Sequence, residues 1–284
     1  MRAQLALLLA LTAACVSTET PADRDREVQR ISAEDGTEIV FEVRGQGGRP
    51  LVFLHGWCGQ RGHWEAQMRT FSPRQQCIAI DLAGHGESGR EREMWGVAGL
   101  GADVARVIDH LELEGAVLVG HSMGGPVALA AAAATPERVA LVVAVDTLHD
   151  VSFRVPEHNL QQAIAAYSRD FEGTLQTFAS QMFRESASES VRVQVIDDML
   201  ASTPGVAISL LQDFLHYDMS AALGAATIPV VGINSDQRPT NVEANRQVDE
   251  DYEVIIVDEL GHYVMLESPT RFDAALLSVM LRVE

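Results

Sequence analysis

Short runs of hydrophobic residues recur along most of the chain, without the polar alternation of strands that have one exposed face. Such runs indicate strands buried on both faces of a sheet. Two further predicted strands, residues 28–32 and 38–43, come first and are joined by a turn at residues 34–36. The buried runs are residues 50–54, 77–80, 116–119, 139–145, 228–233 and 253–257.

Segments with helical character separate these runs, at residues 63–71, 97–111, 126–134, 242–248 and 269–281. Strands that alternate with helices indicate βαβ units. The predicted fold class is therefore α/β, with a doubly wound, mostly parallel sheet. Residues 157–217 interrupt the alternation with helices only. This insertion begins and ends at the sheet edge where ligands bind in such folds, so a helical cap is predicted over about residues 150–218.

The sequence Gly-His-Ser-Met-Gly-Gly at residues 120–125 lies between a predicted buried strand and an alanine-rich helix. A serine at a sharp strand-to-helix turn exposes its hydroxyl at the top of a sheet, and the flanking glycines let the backbone pass close by. The new helix also offers free N–H groups to a negatively charged oxygen. A capped turn would share part of this pattern, but the flanking strand and helix favour Ser122 as a nucleophile.

Two other loops follow strand ends at the same predicted sheet edge. His55-Gly56-Trp57 follows one strand, and the N–H of Trp57 together with that of Met123 is predicted to form an oxyanion hole. His262 follows Gly261 after the last strand, and imidazole is the side chain best suited to take a serine proton near neutral pH. His262 is therefore the predicted general base.

Two aspartates are candidates for the acid that orients His262. Asp236 follows the strand at residues 228–233, and Asp146 follows the strand at residues 139–145. Either carboxylate would fix the imidazole tautomer and stabilise its charged form. Chain order and a position after the cap favour Asp236, with Asp146 as the alternative.

Composition narrows the possible functions. The formal net charge is −19, which argues against a nucleic-acid partner and against electrostatic binding to anionic membranes. All the basic residues other than histidine are arginines, so lysine chemistry such as a Schiff base or a Walker A lysine is excluded. No Cys/His cluster has metal-ligand spacing, and neither a metal nor an organic cofactor is predicted.

The first residues resemble an export signal. Residues 5–11 form an apolar core, and the small residues 12–14 precede Cys15. Residues 1–14 are therefore predicted to be a signal peptide and residues 15–30 a polar tether. Cys15 is the candidate for lipid attachment, which would place the protein in the bacterial cell envelope on a lipid anchor. Ordinary cleavage would instead leave it periplasmic or secreted.

Four motifs of the chain together resemble those of the α/β-hydrolase superfamily. They are residues 55–57, 81–88, 120–125 and 261–267, and the resemblance covers residues 31–284. It implies an α/β-hydrolase fold with Ser122 as nucleophile, His262 as base, and the Trp57 and Met123 amides as oxyanion donors. One departure concerns the acid, because this family often has Gly-x-x-Asp after the seventh strand and Gly232 is one residue further from Asp236 here.

These features predict a serine hydrolase that cleaves a carboxylic ester, thioester or lactone through an acyl-enzyme on Ser122. Its partner would be a small-molecule acyl substrate, and the sequence predicts no particular oligomeric state. An acyltransferase or a lyase on the same fold is the first alternative. The second is a catalytically silent envelope-binding protein, which the full set of site residues disfavours.

Overall fold

The computed structural model describes residues 26–282. The predicted signal peptide and Cys15 lie outside the described residues. The predicted tether to residue 30 is too long, because the first strand already begins at Glu27 and pairs with the second strand along its length.

Eight strands form one sheet in the order β1-β2-β4-β3-β5-β6-β7-β8. β1 and β2 pair antiparallel with each other, β2 pairs antiparallel with β4, and all other neighbours are parallel. The strands are β1 Glu27–Ser32, β2 Glu38–Arg44, β3 Leu51–Leu54, β4 Cys77–Asp81, β5 Ala116–His121, β6 Val139–Val145, β7 Val230–Ser235 and β8 Glu253–Val257. The predicted doubly wound, mostly parallel sheet is confirmed.

Eleven helices accompany the described strands. They are α1 Glu65–Phe71, α2 Val97–His110, α3 Gly124–Ala134, α4 Glu157–Arg169, α5 Phe171–Ser180, α6 Glu189–Leu200, α7 Pro204–His216, α8 Met219–Gly224, α9 Val242–Arg246, α10 Val264–Glu267 and α11 Pro269–Met280. Helices α4 to α8 come between β6 and β7; α4 to α7 lie in the stretch where the helical cap is predicted, and α8 directly follows it.

The direction of each crossover places the helices on both faces of the sheet. The chain moves one way from β3 through α1 to β4, and the opposite way from β4 through α2 to β5. Because parallel crossovers are right-handed, α1 and α2 lie on opposite faces. The contacts agree, since α1 packs with α11 while α2 packs with α3.

The centre of the sheet is fully covered. Every residue of β3, β4 and β5 is buried. This burial explains the continuous hydrophobic runs of their sequences, because no face of these strands meets water. Within residues 26–282, no helix is both long and apolar enough to cross a membrane.

Candidate active site

Ser122 lies at the turn between β5 and α3, in a backbone conformation that residues other than glycine rarely adopt. Its φ is +52°, and its main-chain N–H donates to the carbonyl oxygen of Val145 at 2.9 Å. A left-handed residue outside glycine costs about 1–3 kcal/mol, and such strain is concentrated at functional sites. The turn thus holds the serine side chain at the carboxyl ends of β5 and β6, where it lines a cavity.

The glycines around Ser122 are required by close backbone approach. A Cβ on Gly120 would lie 2.1 Å from the carbonyl oxygen of Gly124. A Cβ on Gly124 would lie 2.6 Å from the carbonyl oxygen of Leu54. Both contacts are with backbone atoms, so no side-chain rotation relieves them. The two glycines therefore let the turn and the start of α3 pack directly against β3.

We expect Gly120→Ala to lower the free energy of unfolding by about 2 kcal/mol or more, because the new methyl group overlaps backbone that cannot move aside. Gly205→Ala is the matched control, since a Cβ there meets no atom within 4 Å. It is expected to change stability by less than about 1 kcal/mol. Urea denaturation of both variants measures the difference, and equal stability would show that the turn is not packed as described.

His262 is held by contacts from three directions. Its Nδ1 lies 2.6 Å from Oδ2 of Asp146. Its main-chain N–H donates to the carbonyl oxygen of Met182 in the cap at 2.7 Å, and its carbonyl oxygen accepts from Nε2 of His121 at 3.0 Å. The side chain is 15% exposed and lines the same cavity as Ser122. The contact with Asp146 leaves Nε2 as the ring nitrogen available to a reacting group.

Asp146 is buried at the end of β6, with only 2% of its side chain exposed. Its Oδ1 accepts the main-chain N–H of Ser235 at 2.6 Å, and its own N–H donates to the carbonyl oxygen of Ile233 at 2.9 Å. Burial alone would raise the pKa of the carboxyl, but the neighbouring His149 and His262 outweigh it and hold that pKa well below its ordinary value. Asp146 is therefore a fixed anion at neutral pH.

The structure contradicts the preference for Asp236 as the partner of His262. The carboxylate of Asp236 is 39% exposed and pairs with Arg184, whose Nη2 lies 2.7 Å from Oδ1. The physical reason is the position of β6, which lies directly beside β5 and carries Asp146 to the imidazole. The alternative acid of the sequence analysis, Asp146, is the one that the structure brings to the histidine.

The predicted oxyanion donors flank the serine. Trp57 lines the cavity at the end of β3, and Met123 directly follows Ser122. Within the described part of the chain, neither of their main-chain N–H groups donates to another protein group. Both amides are thus available to an external acceptor, as an oxyanion hole requires.

The side chain of Trp57 connects the oxyanion loop to the cap. Its Nε1 donates to the carbonyl oxygen of Ala207 in α7 at 2.8 Å. Its ring makes edge contacts with Tyr167 of α4 and Phe178 of α5, at centroid distances of 5.4 and 6.0 Å. One residue therefore both presents an amide to the site and fixes three cap helices over it.

The other histidines near the serine have structural contacts. His55 is fully buried, and its Nε2 accepts the main-chain N–H of Leu82 at 3.1 Å. Burial, together with the nearby His85, lowers the pKa of His55 well below its ordinary value, so it is neutral. His121 is equally buried, and the same cause lowers its pKa, with a further contribution from His262. His55 thus joins two strand-end loops, while His121 supports the main chain of His262.

A cavity of about 600 Å³ lies between the sheet edge and the cap. Ser122, His262 and Trp57 form its floor. The cap and the neighbouring loops supply mainly apolar walls, which include Tyr167, Phe178, Met182, Leu211, Phe214 and Leu215. Among residues 26–282, no group of His, Cys, Asp and Glu side chains is arranged to hold a metal ion. The cavity has the size and lining of a small-molecule site.

Two residues beside the site have no role assigned to them from the sequence. His149 lines the cavity, and its Nε2 lies 3.7 Å from Oδ2 of Asp146. Glu267 accepts the main-chain N–H groups of Gly261 and Tyr263, at 2.9 and 3.3 Å, on either side of His262. The only sequence signal for His149 is its position three residues after a strand-end aspartate. The sequence signal for Glu267 is its position at the end of the motif at residues 261–267, six residues after Gly261.

The fold agrees with comparisons to known proteins. The family model described as alpha/beta hydrolase fold matches residues 49–227. The chain is 30% identical over 274 residues to a dihydrolipoyllysine-residue acetyltransferase component of the acetoin cleaving system from Pseudomonas putida, covering 92% of this chain and 72% of that protein. It is also 30% identical over 265 residues to 3-oxoadipate enol-lactonase 2 from Acinetobacter baylyi, covering 89% of this chain and 96% of that protein.

A similar solved structure is that of an esterase from Exiguobacterium antarcticum, with a TM-score of 0.82 at 21% identity, covering 89% of this chain and 99% of that one. This likeness concerns the fold. The family model matches more than half of the chain, and the chain therefore belongs to the alpha/beta hydrolase family.

Proposed function

We propose that the protein is a serine hydrolase that cleaves a carboxylic ester, thioester or lactone. The observation that carries the proposal is the pairing of His262 with buried Asp146 at 2.6 Å, in the same cavity as the strained Ser122. A buried carboxylate fixes the tautomer of the imidazole and stabilises the imidazolium that forms during reaction.

In the first half-reaction, the Ser122 oxygen attacks the acyl carbon of the substrate while Nε2 of His262 takes the hydroxyl proton. The carbonyl oxygen becomes negatively charged and accepts the free N–H groups of Trp57 and Met123. Each such donor contributes about 3–4 kcal/mol to lowering the barrier. His262 then gives the proton to the departing alcohol, thiol or ring oxygen, and the acyl group remains on Ser122.

In the second half-reaction, a water molecule attacks the acyl carbon and His262 takes one of its protons. The ester bond to Ser122 breaks, the acid leaves and the proton returns to the serine oxygen. Asp146 stays ionised throughout and balances the charge of the imidazolium. The protein groups that take part are Ser122, His262, Asp146 and the two oxyanion amides, and water is the second substrate.

The walls of the cavity favour a substrate of moderate size with an apolar portion. A volume of about 600 Å³ matches a small ligand, and aromatic and aliphatic cap residues surround it. Several hydrogen bonds join the cap to the core, including those from Trp57 to Ala207 and from His262 to Met182. These bonds favour a preformed site.

A panel of nitrophenyl esters with acyl chains of increasing length tests the proposal. We expect measurable hydrolysis with a preference for the shorter chains, because the cap limits the length that the cavity accommodates. Rapid mixing is expected to show a burst of nitrophenol equal to one acyl group per chain when deacylation limits the rate. No hydrolysis of any ester in the panel would contradict the proposal.

An acyltransferase is the second candidate, and the likeness to the acetyltransferase component from Pseudomonas putida favours it. The first half-reaction would be the same, but an alcohol, thiol or amine would replace water in the second. Adding such an acceptor to the ester assay distinguishes the two. If the acylated acceptor replaces the free acid as the main product, the protein is a transferase.

We also propose export through the segment that precedes Cys15. The support is its sequence, an apolar core at residues 5–11 followed by small residues before the cysteine. Mass analysis of the mature protein from a bacterial membrane fraction is expected to show a chain that starts at a diacylated Cys15. A processed chain without lipid would contradict the anchor and leave a periplasmic or secreted protein.

A further inference from the structure

An unpaired arginine lies where the active-site cavity meets a second cavity. The second cavity has a volume of about 410 Å³ and shares five lining residues with the first. Arg238, in the loop after β7, is one of them, with His149 and Phe214 on the walls around it. Arg238 is an exposed residue that lines both the space above Ser122 and the space that extends from it.

Arg238 has no hydrogen bond or ion pair with any protein group among residues 26–282. The acid closest to it in sequence, Asp236, is bound to Arg184, which also donates to the carbonyl oxygen of Leu260 at 2.9 Å. Arg184 thus has a counter-ion, whereas Arg238 has none among the described residues.

The remaining acids of the two cavities are already engaged. Asp146 is held by His262 and by the N–H of Ser235. Asp150 accepts the N–H of Ser152 at 2.9 Å and Nδ2 of Asn241 at 2.8 Å. Neither of these two carboxylates contacts Arg238, and its positive charge is therefore available to a ligand.

We propose that the substrate carries a carboxylate remote from the scissile bond and that Arg238 binds it. This inference rests on the proposed hydrolysis at Ser122. A guanidinium presents its N–H groups in a planar fork that matches the two oxygens of a carboxylate. The positive charge of one unpaired guanidinium balances the negative charge of one carboxylate. The substrate class is then the half-ester, half-thioester or carboxylated lactone of a dicarboxylic acid.

The formal net charge of −19 does not oppose an anionic substrate at the site. Charges in solution are screened over about 8 Å at physiological ionic strength. Arg238 lines the cavity itself, so its attraction acts on a ligand bound there within that range. Salt is therefore expected to reduce the preference for an anionic ester.

Matched pairs of methyl esters test the inference. Monomethyl glutarate and monomethyl adipate are compared with methyl pentanoate and methyl hexanoate, by recording acid release at constant pH. The wild-type protein is expected to prefer the half-ester of each pair. In Arg238→Gln, the ratio of kcat/KM between half-ester and neutral ester is expected to fall by about twofold to fivefold, the range for an ion pair at an exposed arginine.

Arg74→Gln is the matched control, because Arg74 is exposed and lies outside both cavities. It removes the same charge and is expected to keep the wild-type ratio. A wild-type preference for the neutral esters, or an equal ratio in wild type and Arg238→Gln, overturns the inference. Activity on nitrophenyl esters without any on the half-esters also overturns it, with the proposed function intact. Failure on every ester, nitrophenyl esters included, counts against the proposed function itself.

Discussion

Asp146→Asn is expected to lower kcat for ester hydrolysis by about ten-thousandfold, the effect typical of replacing the buried acid of a serine triad. An amide in this place offers His262 an N–H or a weaker acceptor, so the imidazole is no longer held in the tautomer that takes the serine proton. The change keeps the volume of the side chain, and its Oδ1 still accepts the N–H of Ser235. Steady-state kinetics on a nitrophenyl ester measure the loss.

Asp236→Asn is the matched control, because it makes the same chemical change in the aspartate that the sequence favoured. It weakens only a half-exposed ion pair with Arg184. Such pairs contribute about 0–1 kcal/mol, and kcat is expected to stay within about threefold of the wild type. A large loss in Asp236→Asn with normal activity in Asp146→Asn would return the acid role to Asp236.

Ser122→Ala is expected to lower kcat by about a millionfold, as removal of the nucleophile does in other serine hydrolases. Without the hydroxyl no acyl-enzyme forms, and only weak catalysis by the oxyanion donors remains. Alanine at this position keeps the turn, so circular dichroism and the melting temperature serve as checks of folding. A burst of product from Ser122→Ala would contradict the assignment of the nucleophile.

Much of the fold follows from the sequence because the centre of the sheet is buried on both faces. All eight strands lie within about two residues of their predicted bounds, since continuous hydrophobic runs mark strands such as β5 and β6 directly. The sequence signal for the turn at Ser122 is local as well. Gly120 and Gly124 are required by contacts between neighbouring backbone segments, and these leave a short-range signal in the sequence.

The acid could not be chosen from the sequence, because two aspartates follow adjacent strands. The deciding contacts are long-range, from Asp146 to His262 and from Asp236 to Arg184 in the cap. Neither contact leaves a local pattern. Chain order, which favoured Asp236, reflects the usual place of the acid and does not report which side chain is turned toward the imidazole.

The places of His149 and Arg238 on the cavity could not be predicted from the sequence for the same reason. Each lies in a loop after a strand, and only the folded structure shows that it lines the cavity. A histidine or an arginine in a loop is an ordinary surface residue by sequence. Arg238 is distinguished by lining both cavities without a partner, which becomes visible once the loop, the cap and Arg184 are placed together.

The central claim is that Ser122 is an activated nucleophile, and labelling with a fluorophosphonate tests it most directly. Intact-mass analysis of the wild-type protein is expected to show one adduct per chain, and peptide mapping to place it on Ser122. Ser122→Ala is expected to remain unlabelled, and Asp146→Asn to react far more slowly than Asp236→Asn. An unlabelled wild type, or an adduct that persists in Ser122→Ala, would contradict the account.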